Sequence, residues 1–99
     1  MPKQYDVYRL TDKTIVLILQ SDVFEDFKSR LVAPLVPAEK AGRVLRGLNP
    51  IFEVSRQSYV LMPQLSGAIQ IADLSTHLGD ISHKRDDIIS ALDLLFTGF

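Results

Sequence analysis

Two histidines and an aspartate recur at three-residue intervals in His77-Leu78-Gly79-Asp80-Ile81-Ser82-His83, and these residue types ligate metals such as zinc. Binding a metal would require regular helical turns to bring them onto one face. Gly79, with Asp80 and Ser82 as capping residues, instead places a helix start in their midst. The segment therefore reads as a loop histidine followed by a helix-start histidine, with no metal. Asp86 and Asp87 are paired in sequence, yet neighbours on a helix point about 100° apart and cannot share a proton as a catalytic dyad does. Ser66-Gly67 lacks the preceding glycine of a nucleophile elbow. The glycines at 42, 47, 67, 79 and 98 form neither a dinucleotide fingerprint nor a P-loop. The absence of cysteine excludes disulfide scaffolds, zinc ribbons and thiol catalysis. No acid, base and nucleophile set assembles, and no cofactor is implied.

Three features of the chain suit binding. Lys40, Arg43 and Arg46 repeat every three residues and would lie opposite an apolar helical stripe, either as a solvated face or as a landing place for an acidic partner. Phe96-Thr97-Gly98-Phe99 puts two phenylalanines where termini are usually polar and frayed. Their rings either close the core of the monomer or lie in a homodimer seam or a partner's groove. Val23-Phe24, flanked by Asp22, Glu25 and Asp26, is either a plug into the core or an interface patch.

The elements that must position these residues fit one domain. The chain has 99 residues, 46% hydrophobic and 23% charged, enough for a modest core that self-association would help. A net charge of -1 argues against binding nucleic acid by bulk positive charge. No apolar run reaches the roughly 18 residues of a membrane span, and Ile15 to Leu19 is too short for a signal peptide. These features predict a soluble cytoplasmic protein. Strands are expected at Tyr5–Tyr8 and Thr14–Gln20, the second covered on both sides because it is β-branched and continuous. Leu31–Leu35 follows as an edge or bulged strand, since Pro34 cannot donate to a ladder. Ala41, Val44, Leu45 and Leu48 fall at helical spacing within Pro37–Leu48 and predict a short helix or helical turn. Ile51–Val54 and Ser58–Met62 form the best hairpin, and Ala68–Ile71 is a further short strand. The last element is a helix from about His83 to Phe96, capped by Asp80 or Ser82, with Ile88, Ala91, Leu92, Leu95 and Phe99 on one stripe.

Four blocks, in order, resemble the CcdB family: Gln20-Ser21-Asp22-Val23-Phe24, then Arg30-Leu31-Val32-Ala33-Pro34-Leu35, then Asp80-Ile81-Ser82-His83-Lys84-Arg85-Asp86-Asp87-Ile88, and finally Leu94-Leu95-Phe96-Thr97-Gly98-Phe99. The resemblance covers the whole chain. It implies a mainly β protein with a C-terminal α-helix, an SH3-like small antiparallel β-barrel that forms a homodimer. It also implies a function, that of the toxin in a plasmid-type toxin–antitoxin pair, and not that of an enzyme. Such a toxin binds the A subunit of DNA gyrase, is neutralised by a CcdA-like antitoxin, and reaches operator DNA only through that antitoxin when the pair represses its operon. Carried over by position, the gyrase contacts are Asp93, Phe96, Thr97, Gly98 and Phe99, with Val23 and Phe24 as a secondary patch. Leu95, Phe96 and Phe99 are brought toward the dimer axis, and Lys40, Arg43 and Arg46 are the candidate antitoxin face. Thr97 replaces a family tryptophan that stacks on an arginine of gyrase, Asp93 replaces an asparagine, and Phe99 replaces an isoleucine. The other reading is a CcdB-fold protein that pairs with an antitoxin-like partner but no longer poisons gyrase.

Overall fold

The structure, a computed structural model, describes residues 1–98. Seven strands make one curled antiparallel sheet: β1 (Asp6–Leu10), β2 (Ile15–Ile18), β3 (Ser29–Pro37), β4 (Ile51–Val54), β5 (Gln57–Leu61), β6 (Gly67–Gln70) and β7 (Leu74–Asp80). Helix α1 (Arg85–Thr97) closes the described chain. The sheet runs β4-β5-β3-β2-β1-β7, with β6 added to β3. Its two ends approach each other, since Ser55 Oγ donates to the Leu78 carbonyl at 3.4 Å. The result is a mainly β half-barrel with a C-terminal helix, consistent with the small antiparallel barrel that the resemblance implies.

β2 shows why the sheet curls around two apolar layers. Leu17 points into the main core with Val7, Ala33, Leu35, Phe52, Leu61 and Ile88. Its neighbours Val16 and Ile18 point the opposite way and pack on Val32, Tyr8, Ile69 and Leu74. A strand covered on both faces needs apolar residues at every position, and Ile15-Val16-Leu17-Ile18 supplies them. α1 seats fully buried Ile88 and Ala91 on the main core, with Leu92 beside them. It stops at Gly98, whose left-handed φ of 82° lets its N–H reach the Leu94 carbonyl at 2.9 Å.

Four expectations are corrected. Pro37–Leu48 is not a continuous helix but two separate helical turns, a 3-10 turn at Ala38–Lys40 and one in which the Asn49 N–H donates to the Leu45 carbonyl at 3.0 Å. Gly42 and Gly47 take left-handed φ values of 68° and 86°, which break the helical path despite the apolar spacing. Pro34 marks neither an edge strand nor a bulge, because β3 is central. On one side its first half pairs with β6 and its second half with β5. Pro34 sits at that changeover, where its carbonyl accepts the Met62 N–H and its missing donor leaves no ladder bond broken. The segment holding His77 is not a loop but β7, paired with β1. Finally, neither Asp80 nor Ser82 caps α1 directly. Asp80 Oδ1 accepts the Ser82 N–H at 2.7 Å, holding a 3-10 turn (Ser82–Lys84) that leads into α1.

Candidate functional site

The loop joining β2 to β3 is tied from inside. Ser21 Oγ accepts the Val23 N–H at 3.2 Å and caps a 3-10 turn over Asp22–Phe24. Asp22 Oδ1 accepts the Gln4 N–H at 2.8 Å, stapling that turn to the start of the chain. Arg30 is only 2% exposed, and its guanidinium donates to the carbonyls of Phe27, Ser29 and Glu25 at 2.6, 2.9 and 3.0 Å. Gln20 Nε2 donates to the Phe24 and Ser29 carbonyls, while its Oε1 accepts the Leu31 N–H. With its backbone satisfied inward, the loop turns its apolar side chains outward. Val23 is 81% exposed, Phe24 50% and Phe27 58%. Val23-Phe24 is therefore a surface patch and not a plug.

The end of α1 forms a second outcrop. Phe96 is 72% exposed, which rules out closure of the monomer core by this ring. Leu95 is half-buried, while Asp93, Thr97 and Gly98 are exposed. Thr97 Oγ1 donates to the Asp93 carbonyl at 2.7 Å, so its hydroxyl is spent on its own helix. Phe99, expected at both the target contact and the dimer seam, lies outside the described residues.

Lys40, Arg43 and Arg46 are all exposed, but without a helix they do not share one helical face. Arg43 and Arg46 ride on a loop pinned at its far end by buried Asn49. That side chain accepts the Leu45 N–H at 2.9 Å and donates to the Leu61 carbonyl and Gln64 Oε1, each at 3.0 Å.

His77 Nε2 stands 3.3 Å from Asp6 Oδ1, and its ring meets Tyr8 edge-on at 5.2 Å. The other Asp6 oxygen accepts the Lys3 N–H at 2.9 Å. Burial, then the nearby Asp6 charge, pushes the Tyr8 phenol up. Hydrogen bonding by the Ser82 N–H and then its hydroxyl holds the Asp80 carboxyl below its ordinary value, with smaller contributions from the neighbouring His77 and His83. Among the described residues no group of three or more His, Cys, Asp or Glu converges on a metal position, and no pocket opens. No described helix is long and apolar enough to cross a membrane. This arrangement offers exposed apolar surfaces, not an enclosed cleft, for recognition.

Residues 4–98 match the family model described as CcdB protein. The chain belongs to the CcdB family. It is also similar to the solved structure titled "Endoribonuclease in complex with its cognate antitoxin from Mycobacterial species", with a TM-score of 0.77 and 17% identity over 94% of this chain and 92% of that one. The two share a fold. On this CcdB-family chain, Asp93, Phe96, Thr97 and Gly98 are gathered at one helix end, and Val23 and Phe24 on the loop before β3. Sequence reasoning missed two participants of that loop. Phe27 could have been found as a third apolar residue within the acidic run, whereas nothing in the sequence marks Arg30 as buried.

Proposed function

We propose that this chain is the toxin of a type II toxin–antitoxin pair and acts by docking on the A subunit of DNA gyrase. Membership of the CcdB family supports the toxin reading. The carrying observation is that Phe96 and the Val23-Phe24 patch, at positions corresponding to the family's target contacts, are all half or more exposed. Large apolar side chains held out in water by an ordered backbone suit a protein partner. On this reading the chain works without catalysis of its own in the cytoplasm, as a homodimer that a CcdA-like antitoxin neutralises. It meets operator DNA only through that antitoxin. The test is expression in gyrase-competent cells with and without the antitoxin, together with a gyrase-dependent DNA cleavage assay. Growth arrest and trapped cleavage, both relieved by the antitoxin, are expected. Normal growth at every dose with no cleavage overturns the reading.

One observation favours a second reading, a CcdB-fold partner of an antitoxin that does not poison gyrase. Thr97 has no ring, and its hydroxyl is committed to the Asp93 carbonyl. It cannot stack on a cation, a contact worth about 0.5–2 kcal/mol. Here the expected outcome is a harmless parent chain that Thr97→Trp makes toxic, and a parent that is already toxic refutes it.

A further inference from the structure

The loop between β2 and β3 presents more than an apolar contact. The Phe24 and Phe27 rings lie 5.8 Å apart between centroids, tilted 35° to each other, and both are half or more exposed. The exposed carboxylates of Asp22, Glu25 and Asp26 alternate with them along the loop. Among the described residues the contacts within 4.0 Å between basic and acidic side chains are His77 with Asp6 and Arg85 with Asp86, so these three carboxylates have no cation within that distance. Arg30 is turned inward onto carbonyl groups and does not neutralise them, and exposed Lys28 beside Phe27 makes no ion pair with them, which leaves three carboxylates against one exposed ammonium. The surface is aromatic at its centre, negative at its rim and held in shape from within.

Such a surface selects its partner's chemistry. Aromatic faces attract cations, and carboxylates beside them add charge-assisted hydrogen bonds. Of the protein cations, guanidinium suits the site better than ammonium, because it is planar, more weakly hydrated, and stacks on rings while its edge binds a carboxylate. Anionic lipid and nucleic-acid backbone would meet the negative rim and be repelled. We infer that Phe24 and Phe27 receive an arginine side chain of the protein target, with Glu25 and Asp26 binding the edge of the guanidinium. The inference rests on the reading of this chain as a target-docking toxin and gives the chemistry of the contact. Arg30 and Gln20 are positioning residues: they order the loop before docking, so little ordering entropy is lost on binding.

The test uses nuclear magnetic resonance of the whole protein with labelled phenylalanine rings. The probe is a blocked Gly-Arg-Gly peptide, with Gly-Lys-Gly and Gly-norleucine-Gly as controls and the buried Phe52 ring as internal reference. Expected are shifts at Phe24 and Phe27 that are largest with arginine, weaker with lysine and absent with norleucine. Phe27→Leu, at an exposed position where the fold is not at risk, should remove them, and Glu25→Gln with Asp26→Asn should reduce them. An absent response, or one equal for norleucine, overturns the inference. Binding to the gyrase A subunit is measured separately, and Phe27→Leu should weaken it roughly 2- to 30-fold. Equal binding by wild type and Phe27→Leu also overturns the inference and leaves the toxin reading intact. Ring shifts with arginine but no binding of gyrase A uphold the arginine site and overturn the gyrase assignment alone.

Discussion

Phe96→Ala separates a ring that faces a target from a ring that faces a second copy of the chain. At 72% exposure only about a quarter of Phe96 is covered by its own chain. Full burial of phenylalanine contributes about 1.5–3 kcal/mol, so truncation should cost the isolated chain roughly 0.4–0.8 kcal/mol. The contrast is Ile88→Ala, at a fully buried position of the same helix, where the expected loss is about 2–5 kcal/mol. A symmetric dimer that covers the remaining surface of Phe96 in both copies would add roughly 2–4 kcal/mol to association, about one and a half to three orders of magnitude in dimer dissociation constant. Urea unfolding at several protein concentrations, with sedimentation at micromolar concentration, reads both effects. A small loss independent of concentration leaves the ring free for the target. A loss that is largest at high protein concentration and shrinks on dilution places it in a dimer seam. A loss near 3 kcal/mol that ignores concentration would falsify the reasoning, because it would mean that the monomer itself encloses the ring.

Three further outcomes follow from the described contacts. Asp80→Ala should cost about 1 kcal/mol near neutral pH, where the carboxylate holds the Ser82 N–H. Because the folded carboxyl is depressed, that stability is present above the ordinary value of 3.8 and lost as pH falls through the folded one, so unfolding curves of variant and wild type should converge in acid. Arg56→Gly should stabilise the chain by roughly 0.5–1 kcal/mol in thermal unfolding, since Arg56 occupies a left-handed φ of 66° in a two-residue hairpin turn that glycine adopts at lower cost; an unchanged or lower midpoint contradicts this. Asn49→Ala should cost about 2–3 kcal/mol, because the buried Leu61 carbonyl loses its amide donor and the loop bearing Arg43 and Arg46 loses its anchor. Faster amide exchange at Leu45 checks the second half of that claim.

The fold was legible where burial dictates residue type. β2 announces its two covered faces by unbroken apolar residues, and the helical stripe of Ile88, Ala91 and Leu92 meets the core as its spacing predicts. Legibility failed where backbone geometry or pairing decides. Ala41, Val44, Leu45 and Leu48 have helical spacing, yet two left-handed glycines override it and leave Val44 and Leu45 exposed. β7 carries Ser75, Thr76 and His77 on an exposed strand, so no apolar alternation betrays it, and only its pairing with β1 makes it a strand. At the candidate site the exposed apolar residues could be named from sequence, but the buried guanidinium behind them could not, because its partners are carbonyl groups that leave no side-chain signature.

The three-partner strand β3 has a consequence for how the molecule breathes. An edge strand can peel away by breaking one ladder, but β3 is held by β2 along one side and by β6 and β5 along the other. Releasing it means undoing the sheet from several directions at once, so its amides exchange with solvent through near-global opening while β4, β6 and β7 can fray locally. The loop that presents Phe24 and Phe27 runs directly into the first residues of this slowest-opening segment. Thermal fluctuation at the margins of the sheet is thereby kept from reaching the surface offered for recognition.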